Sequence, residues 1–232
     1  MPVDVDLLSL DEAEALPCVV RRIPDGWRAV VVDKGSTHRS AALAAELGAT
    51  VVQEPPRGFG AACHAGLIAS DAEFVCDCVC DCDCDCDASL DPGLLPRPLT
   101  SVTDGSGDLV LGRCWPTAPG AWPVHARAGD LALSRTLHQR TGRQLHDLGV
   151  MRVARREALF GLGPWDRRSG YPLQMVVRAA DTVLRVAETI VPYLPWSGKS
   201  MVTGTWPGTW HAVRDMRKVL ADPPAAAPEV PA

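Results

Sequence analysis

Residues 76–87 read CDCVCDCDCDCD, an alternation of two metal-binding chemistries. In an extended chain, successive side chains point to opposite sides. Cys76, Cys78, Cys80, Cys82, Cys84 and Cys86 then share one face, while Asp77, Asp81, Asp83, Asp85 and Asp87 share the other with Val79. Neighbours on one face stand about 7 Å apart, and a row of carboxylates at that spacing repels itself. Such a row cannot be buried without partners. The buried part of the strand should therefore stop near Cys80, with the remainder leaving the sheet edge or meeting cations.

Three readings fit the run. Two carboxylates on one side of an extended segment, Asp85 and Asp87, make a D-x-D clamp for a divalent cation, and hard oxygen ligands select Mg²⁺ or Mn²⁺. The thiols could instead hold a soft metal, although one strand presents them in a line and a tetrahedral site needs a fold-back or a second chain. The run can also be a low-complexity expansion in which only the last unit has a role, which is compatible with the first reading.

The elements around the run suggest where it sits. Residues 5–10 read as a first strand, followed by a helix capped by Asp11 and reaching about Val20. The β-branched RAVVVD, residues 28–33, is a strong second strand. Ser36 can cap an alanine-rich helix ending at Gly48. Residues 49–53 form a third strand, 60–70 a helix, and Phe74 begins a fourth strand. Asp91-Pro92 opens a short helix, and DLVLG, residues 108–112, is a fifth strand. This alternation predicts an α/β domain with a mostly parallel sheet covered on both faces. Ligands of such sheets lie at the carboxyl ends of the strands, where Asp33 and the acidic run both fall. Beyond residue 113 the pattern loosens. Helices are expected over 124–140, 172–180 and 209–220, with a strand over 185–193.

Composition narrows the class. A chain of 232 residues suits one large domain. The chain reads as one domain in two halves, about 1–112 and about 113–221, which the family resemblance described below makes a nucleotide half and an acceptor half, with a disordered tail at 222–232. A net charge of −5 argues against non-specific nucleic-acid binding. Nine cysteines, an acidic N-terminus and the lack of any 20-residue apolar window predict a reducing compartment, by default the cytoplasm. Six of the seven tryptophans lie after residue 114, as core filler or as a stacking surface for an acceptor.

Several segments occur in an order that resembles the bacterial family-two glycosyltransferases, close to the dolichol-phosphate mannosyltransferase type. They are LDEAEALP, VVVDKGSTHRSAALAAELGATVV, RGFGAACHAGL, CDCDASLDP, DLVLGR, HDLGVMR, SGYPLQM and SGKSMVTGT. The resemblance covers roughly residues 5–220. It implies a GT-A fold, a three-layer α/β/α domain, with a nucleotide-diphospho-sugar donor and a divalent metal. By the same resemblance Leu8, Leu10 and Glu12 line the base and ribose pocket, and Asp33 contacts base or ribose. Gly58 and Gly60 admit the nucleotide, Asp85 faces ribose and metal, and Asp87 binds metal. Asp147 and Gln174 fall on the catalytic, acceptor side. Arg113, Arg152, Arg168 and Lys199 are candidate contacts to phosphate or acceptor, a group that guanidinium suits. The acceptor is open between a lipid phosphate, reached by peripheral contact with a membrane, and a small molecule.

The chain departs from the family at Leu8, Asp11-Glu12, Lys34, His38, Gln174, Trp196 and Met201. Gln174 stands where a Glu is expected, and an amide cannot take a proton. A relative that binds nucleotide sugar without turnover is therefore the alternative function, and a thiolate-metal protein is a third.

Overall fold

The computed structural model describes residues 1–37, 39–54, 58–78, 90–118, 124–149, 151–193 and 206–223. His38, Asp85, Asp87, Trp196, Lys199, Met201 and the tail from 224 lie outside the described residues, as does most of the Cys-Asp run.

Strands β1 (Val3–Ser9), β2 (Arg28–Asp33), β3 (Thr50–Gln53), β4 (Phe74–Cys78), β5 (Leu109–Pro116), β6 (Met151–Arg155) and β7 (Val186–Tyr193) form one sheet in the order β3-β2-β1-β4-β6-β5-β7. Neighbours are parallel except at β6, which runs antiparallel to both β4 and β5. The sheet is mostly parallel, as expected.

Helices cover both faces. On one side α1 (Leu16–Val20), α2 (Ser40–Glu46) and α4 (Pro96–Thr103) pack on Val3, Val5, Val31, Phe74, Cys76 and Val153. On the other, α3 (Phe59–Ala69), α5 (Val124–Thr141), α6 (Arg156–Leu162), α7 (Tyr171–Asp181) and α8 (Trp206–Ala221) contribute to a second core with Val75, Leu109, Leu111 and Ala154. Strand alternation assigns each residue to its layer: in β4, Phe74 and Cys76 face the first core while Val75 faces the second.

The structure corrects several expectations. No helix starts at Asp11. That residue has φ 58°, its N–H donates to Ser36 Oγ at 2.9 Å, and its carboxylate accepts from Thr37 N at 2.8 Å. Helix α1 begins only at Leu16, and Ser36, spent on Asp11, does not cap α2. The looser second half contains β6 and α6, which the pattern did not reveal. MRVAR mixes charge into a strand buried at four of its five positions, so it lacks both clean alternation and a continuous apolar run.

Candidate functional site

β1 lies between β2 and β4. The connections to β2 and β3 pass over one face through α1 and α2, whereas the return to β4 passes over the other through α3. The order reverses between β1 and β4, and open α/β sheets bind ligands at the carboxyl side of such a switch point.

At that edge the strand ends are laced together. Lys34 N donates to Ser9 O at 2.9 Å and Glu54 N to the backbone oxygen of Asp33 at 2.9 Å. Asp33 is buried, and its two carboxylate oxygens each accept from Ser36 N at 3.3 Å. Glu12 is also buried, and its carbonyl accepts from Ala15 N and Leu16 N, which starts α1. Leu8 and Leu10 are half-buried beside them. The structure thus brings Leu8, Leu10, Glu12 and Asp33 to one edge. β4 ends at the same edge with Cys78, the last described residue before the rest of the Cys-Asp run.

Beneath this edge, on the α3 side, lie carboxylates of a different kind. Asp6 and Asp77 are direct partners on β1 and β4, both buried. Neither oxygen of Asp6 has a hydrogen-bond partner in the structure, and Gly66 of α3 comes so close that a Cβ there would sit 2.7 Å from Asp6 Oδ2. Burial pushes Asp6 well above the usual carboxylate range, and the charges of Asp77 and Asp4 push the same way. Burial likewise pushes Asp77 up to about 6, against the pull of Arg152. Arg152 sits opposite Asp77 on β6, donates to Leu148 O at 3.2 Å, and leaves Nε and Nη1 unpartnered. It is buried, so as placed it faces the Asp6–Asp77 interior rather than open solvent. Asp4, two residues back on the same face, contrasts with Asp6. Burial would raise it, but Arg28, Ser70 and the Ala72 N–H donate to it and hold it below its ordinary value.

The glycines of the third segment pack against protein. Gly58 has φ 128°, and a Cβ on it would meet Arg167 O at 2.6 Å. A Cβ on Gly60 would meet Tyr171 Cβ at 2.6 Å, with Arg168 O and Asp166 O at 2.8 Å. Gly60 N and Ala61 N donate to Arg168 O and Arg167 O. The close approach that these glycines permit is to the segment 166–171, which leads into α7 and is hydrogen-bonded to the start of α3.

Gln174 belongs to the same junction. Its Oε1 accepts from Trp165 N at 2.8 Å and Asp166 N at 2.9 Å, so it anchors a turn. Arg168 is held by Asp215, Nε to Oδ2 3.1 Å. Asp147 is buried and accepts from Cys114 N at 2.8 Å and Gly149 N at 3.1 Å, which ties the turn before β6 to the end of β5. These three residues, named from sequence for the acceptor side, do positioning work in the structure.

Arg113 stands elsewhere, in a cavity of about 680 Å³ at the end of β5, whose wall includes Arg127, Arg135 and His138 of α5. Sequence reasoning missed Arg127 and Arg135. The available signal was their i, i+4 spacing about Leu131, which puts all three on one helix face. Trp115 and Leu131 also line the cavity and are exposed, which shows that the late tryptophans are not all core filler.

Among the described residues no group of three His, Cys, Asp or Glu side chains is placed to hold a metal. Cys76, the first thiol of the run, is packed in the core against the thiolate reading. The two hard carboxylates expected at Asp85 and Asp87 suit Mg²⁺ or Mn²⁺ by their chemistry. No described helix is long and apolar enough to cross a membrane.

Comparison with known proteins identifies the family. The family model for glycosyl transferase family 2 matches residues 13–160. An uncharacterized glycosyltransferase of Mycobacterium tuberculosis is 46% identical over 220 residues, covering 94% of this chain and 98% of the relative. A dolichyl-phosphate hexose transferase of Haloferax volcanii is 31% identical over 184 residues, 78% of this chain and 76% of the relative. Glucosyl-3-phosphoglycerate synthase of M. tuberculosis, solved with Mn²⁺, UDP-glucose and phosphoglyceric acid, superposes with a TM-score of 0.72 at 20% identity, covering 96% of this chain and 80% of that one. The chain belongs to glycosyl transferase family 2, on a GT-A fold.

Proposed function

We propose that this member of the family moves a hexose from a nucleotide-diphospho-sugar to an acceptor, with the donor seated across the β1–β4 switch point. One observation carries the reading: β4, the strand that precedes the acidic run in sequence, ends at the edge where Asp33 and Glu12 are held, between strands whose connections reverse. Asp33 and Glu12 accept hydrogen bonds from the nucleoside, with Leu8 and Leu10 as its apolar wall. Asp85 and Asp87 would hold Mg²⁺ or Mn²⁺. A cation held there would supply charge neutralisation for the leaving diphosphate. The M. tuberculosis synthase was solved with UDP and Mn²⁺ or Mg²⁺, which makes UDP-hexoses the first donors to test.

In the reaction an acceptor oxygen bonds to the anomeric carbon while the carbon–oxygen bond to the diphosphate breaks. The nucleoside diphosphate departs with the electron pair. A hydroxyl acceptor gives its proton to a base, whereas a phosphate oxygen has none to give. Gln174 cannot be that base. Its oxygen is engaged by two backbone N–H groups, so an amide at this position is explained by turn anchoring and does not by itself argue for a silenced enzyme.

The test is calorimetry and thermal shift with UDP- and GDP-hexoses, with and without Mn²⁺. A ligand that binds only the native state raises the melting temperature. Metal-dependent binding with slow release of nucleoside diphosphate is expected, with both lost in Asp85→Ala and Asp87→Ala. Metal-dependent binding with no turnover under any acceptor would favour the impaired relative. Failure of every donor to bind would remove the donor site.

A further inference from the structure

The three central strands carry a polar row across one face of the sheet. Asp6 on β1 is the register partner of Asp77 on β4, and Asp77 is the partner of Arg152 on β6. The same register continues outward to Val30 on β2 and Leu111 on β5, so the row is closed by buried apolar residues at both ends. Opposed residues of neighbouring strands stand about 5 Å apart with their side chains on one face, which brings the two carboxyl groups within reach of each other.

The groups that face the row fix its charge. Arg28 of β2 is engaged on Asp4, which also accepts from Ser70 Oγ and Ala72 N. Cys63 of α3 and Tyr171 of α7 are pushed up by burial and stay neutral. Lys34, just beyond β2, acts on Cys63. His64, the next residue of α3, is held below its ordinary value by burial and by Arg167. Two carboxyl groups and one guanidinium thus share the buried row, and their charges cancel when one proton is bound.

Helix α3 lies directly over the first of these carboxyl groups. A Cβ on Gly66 would stand 2.7 Å from Asp6 Oδ2 and 2.9 Å from Cγ, so the helix backbone rests on the carboxyl group. Neither oxygen of Asp6 has a hydrogen-bond partner in the structure. A neutral carboxyl group can stay in such a seat, whereas an ionised one needs water or donors. Hydrogen-bonded strands flank Asp6 on both sides, so water reaches it when α3 lifts.

We propose that Asp6, Asp77 and Arg152 form a proton latch for α3. Asp77 carries the charge that faces Arg152, while Asp6 keeps the proton and its O–H donates to Asp77. Loss of that proton on the alkaline side sets two carboxylates against one guanidinium, and α3 loosens from the sheet. The sign follows from linkage: a carboxyl group whose proton is held more tightly in the folded chain loses its stabilisation as pH rises. The first turn of α3 also carries the hydrogen bonds from Gly60 N and Ala61 N to Arg168 O and Arg167 O, so the latch governs that junction as well. It stands on the sheet register and on Gly66, and does not rest on the transferase reading.

Two measurements on the full chain test it. Infrared spectroscopy at pH 7 should show a neutral carboxyl band in the native protein. The band should be absent from Asp6→Asn, whose amide N–H₂ replaces the donated O–H. Hydrogen exchange followed by mass spectrometry, corrected for the intrinsic pH dependence of exchange, reads the helix itself. Protection of α3 should fall about tenfold or more between about pH 6 and about pH 9, while α4 on the opposite face keeps its own. Asp6→Asn should hold α3 protected at both values. If that variant does not fold, the native chain still decides, because its neutral carboxyl band should fade over the pH range in which α3 loosens. Absence of the band from the native protein at pH 7, or its persistence in Asp6→Asn, would overturn the shared proton. Protection of α3 that ignores pH, or that falls equally in α4 or in Asp6→Asn, would overturn the latch.

Discussion

Two groups of buried acids are treated in opposite ways. Between β1 and β4, Asp6 has no hydrogen-bond partner, and Asp77 lies beside it with the charge of Arg152 opposing its upward shift. Around α7 and the end of β5, buried acids are fully used. Asp147 receives two backbone N–H groups, Asp166 takes those of Arg168 and Gly170, and Asp215 receives Arg168 and Arg214. The second arrangement is structural, because each charge is matched where it is buried. The first leaves Asp6 without a hydrogen-bond partner beneath the edge where β4 ends. The carboxy-terminal half also sets Arg127 and Arg135 of α5 around the cavity at the end of β5.

The largest effect should come from breaking the junction of the two halves. Gly60→Ala puts a methyl against Tyr171 Cβ and two carbonyl oxygens at 2.6–2.8 Å, with backbone as the obstacle in two of the three contacts. Overpacking of this kind costs about 3 kcal/mol, and a melting temperature roughly 10 °C below native is expected by calorimetry. A shift under about 2 °C would mean that α3 and the 166–171 segment are not locked as placed.

Next in size is an acid from the matched group. Asp147→Asn replaces one accepting oxygen by an N–H₂ that faces a backbone N–H. One donor is left unsatisfied, at a cost of about 2 kcal/mol. Donor hydrolysis should keep its pH profile once corrected for the folded fraction. A lost pH limb would show that Asp147 exchanges a proton in the reaction and does more than position the turn.

Sequence made the strand–helix alternation legible through most of the chain, because RAVVVD and DLVLG are apolar runs bounded by clear breakers. The same pattern put Asp33 at the carboxyl end of β2, where the structure has it, whereas Glu12 was named by the family resemblance. β6 escaped because Arg152 interrupts its apolar pattern, and that arginine is buried only because Asp77 lies opposite. The role of Gln174 escaped because its partners, the N–H groups of Trp165 and Asp166, are backbone and leave no mark in composition. The cationic face of α5 was present at helical spacing, but a charged stripe on a helix is ordinarily a solvated surface. Only the cavity at the end of β5 distinguishes it.

An unmatched acid should be improvable. Asp6→Asn keeps nearly the same shape and removes a group that must take up a proton or bury a charge on folding, and we expect about 1 kcal/mol of added stability at pH 7. The pH dependence fixes the sign. Asp6 is raised well above its ordinary value and Asp77 reaches about 6, so the folded state holds more protons than the unfolded one above pH 4 or so. Their contribution is intact below the unfolded value and declines as pH rises through 6. Asp4, held low, works in the other direction and loses its contribution only as pH falls below its unfolded value. Urea melts from pH 4.5 to 8, in roughly half-unit steps, should show stability falling with pH in the native chain and a shallower fall in Asp6→Asn. Identical slopes would mean that Asp6 is matched after all.

The smallest effect should come from placing an unmatched acid into the matched half. Gln174→Glu keeps an oxygen on Trp165 N and Asp166 N, at 2.8 and 2.9 Å, so the turn stays anchored. A charged acceptor strengthens both bonds. The opposing effect is burial at 1% exposure, with the second oxygen taking the place of Nε2, which has no partner. The two effects nearly cancel, within about 1 kcal/mol, but they do not share a pH dependence. A buried carboxyl is protonated more readily than in the unfolded chain, so the variant should match native at pH 5 and fall below it at pH 8. Melts at those two pH values decide the matter. A variant as stable as native at both would show that the backbone donors of this turn can carry a full charge. The contrast between the halves would then lie in how many N–H groups reach each acid, and not in how deeply the acid is buried.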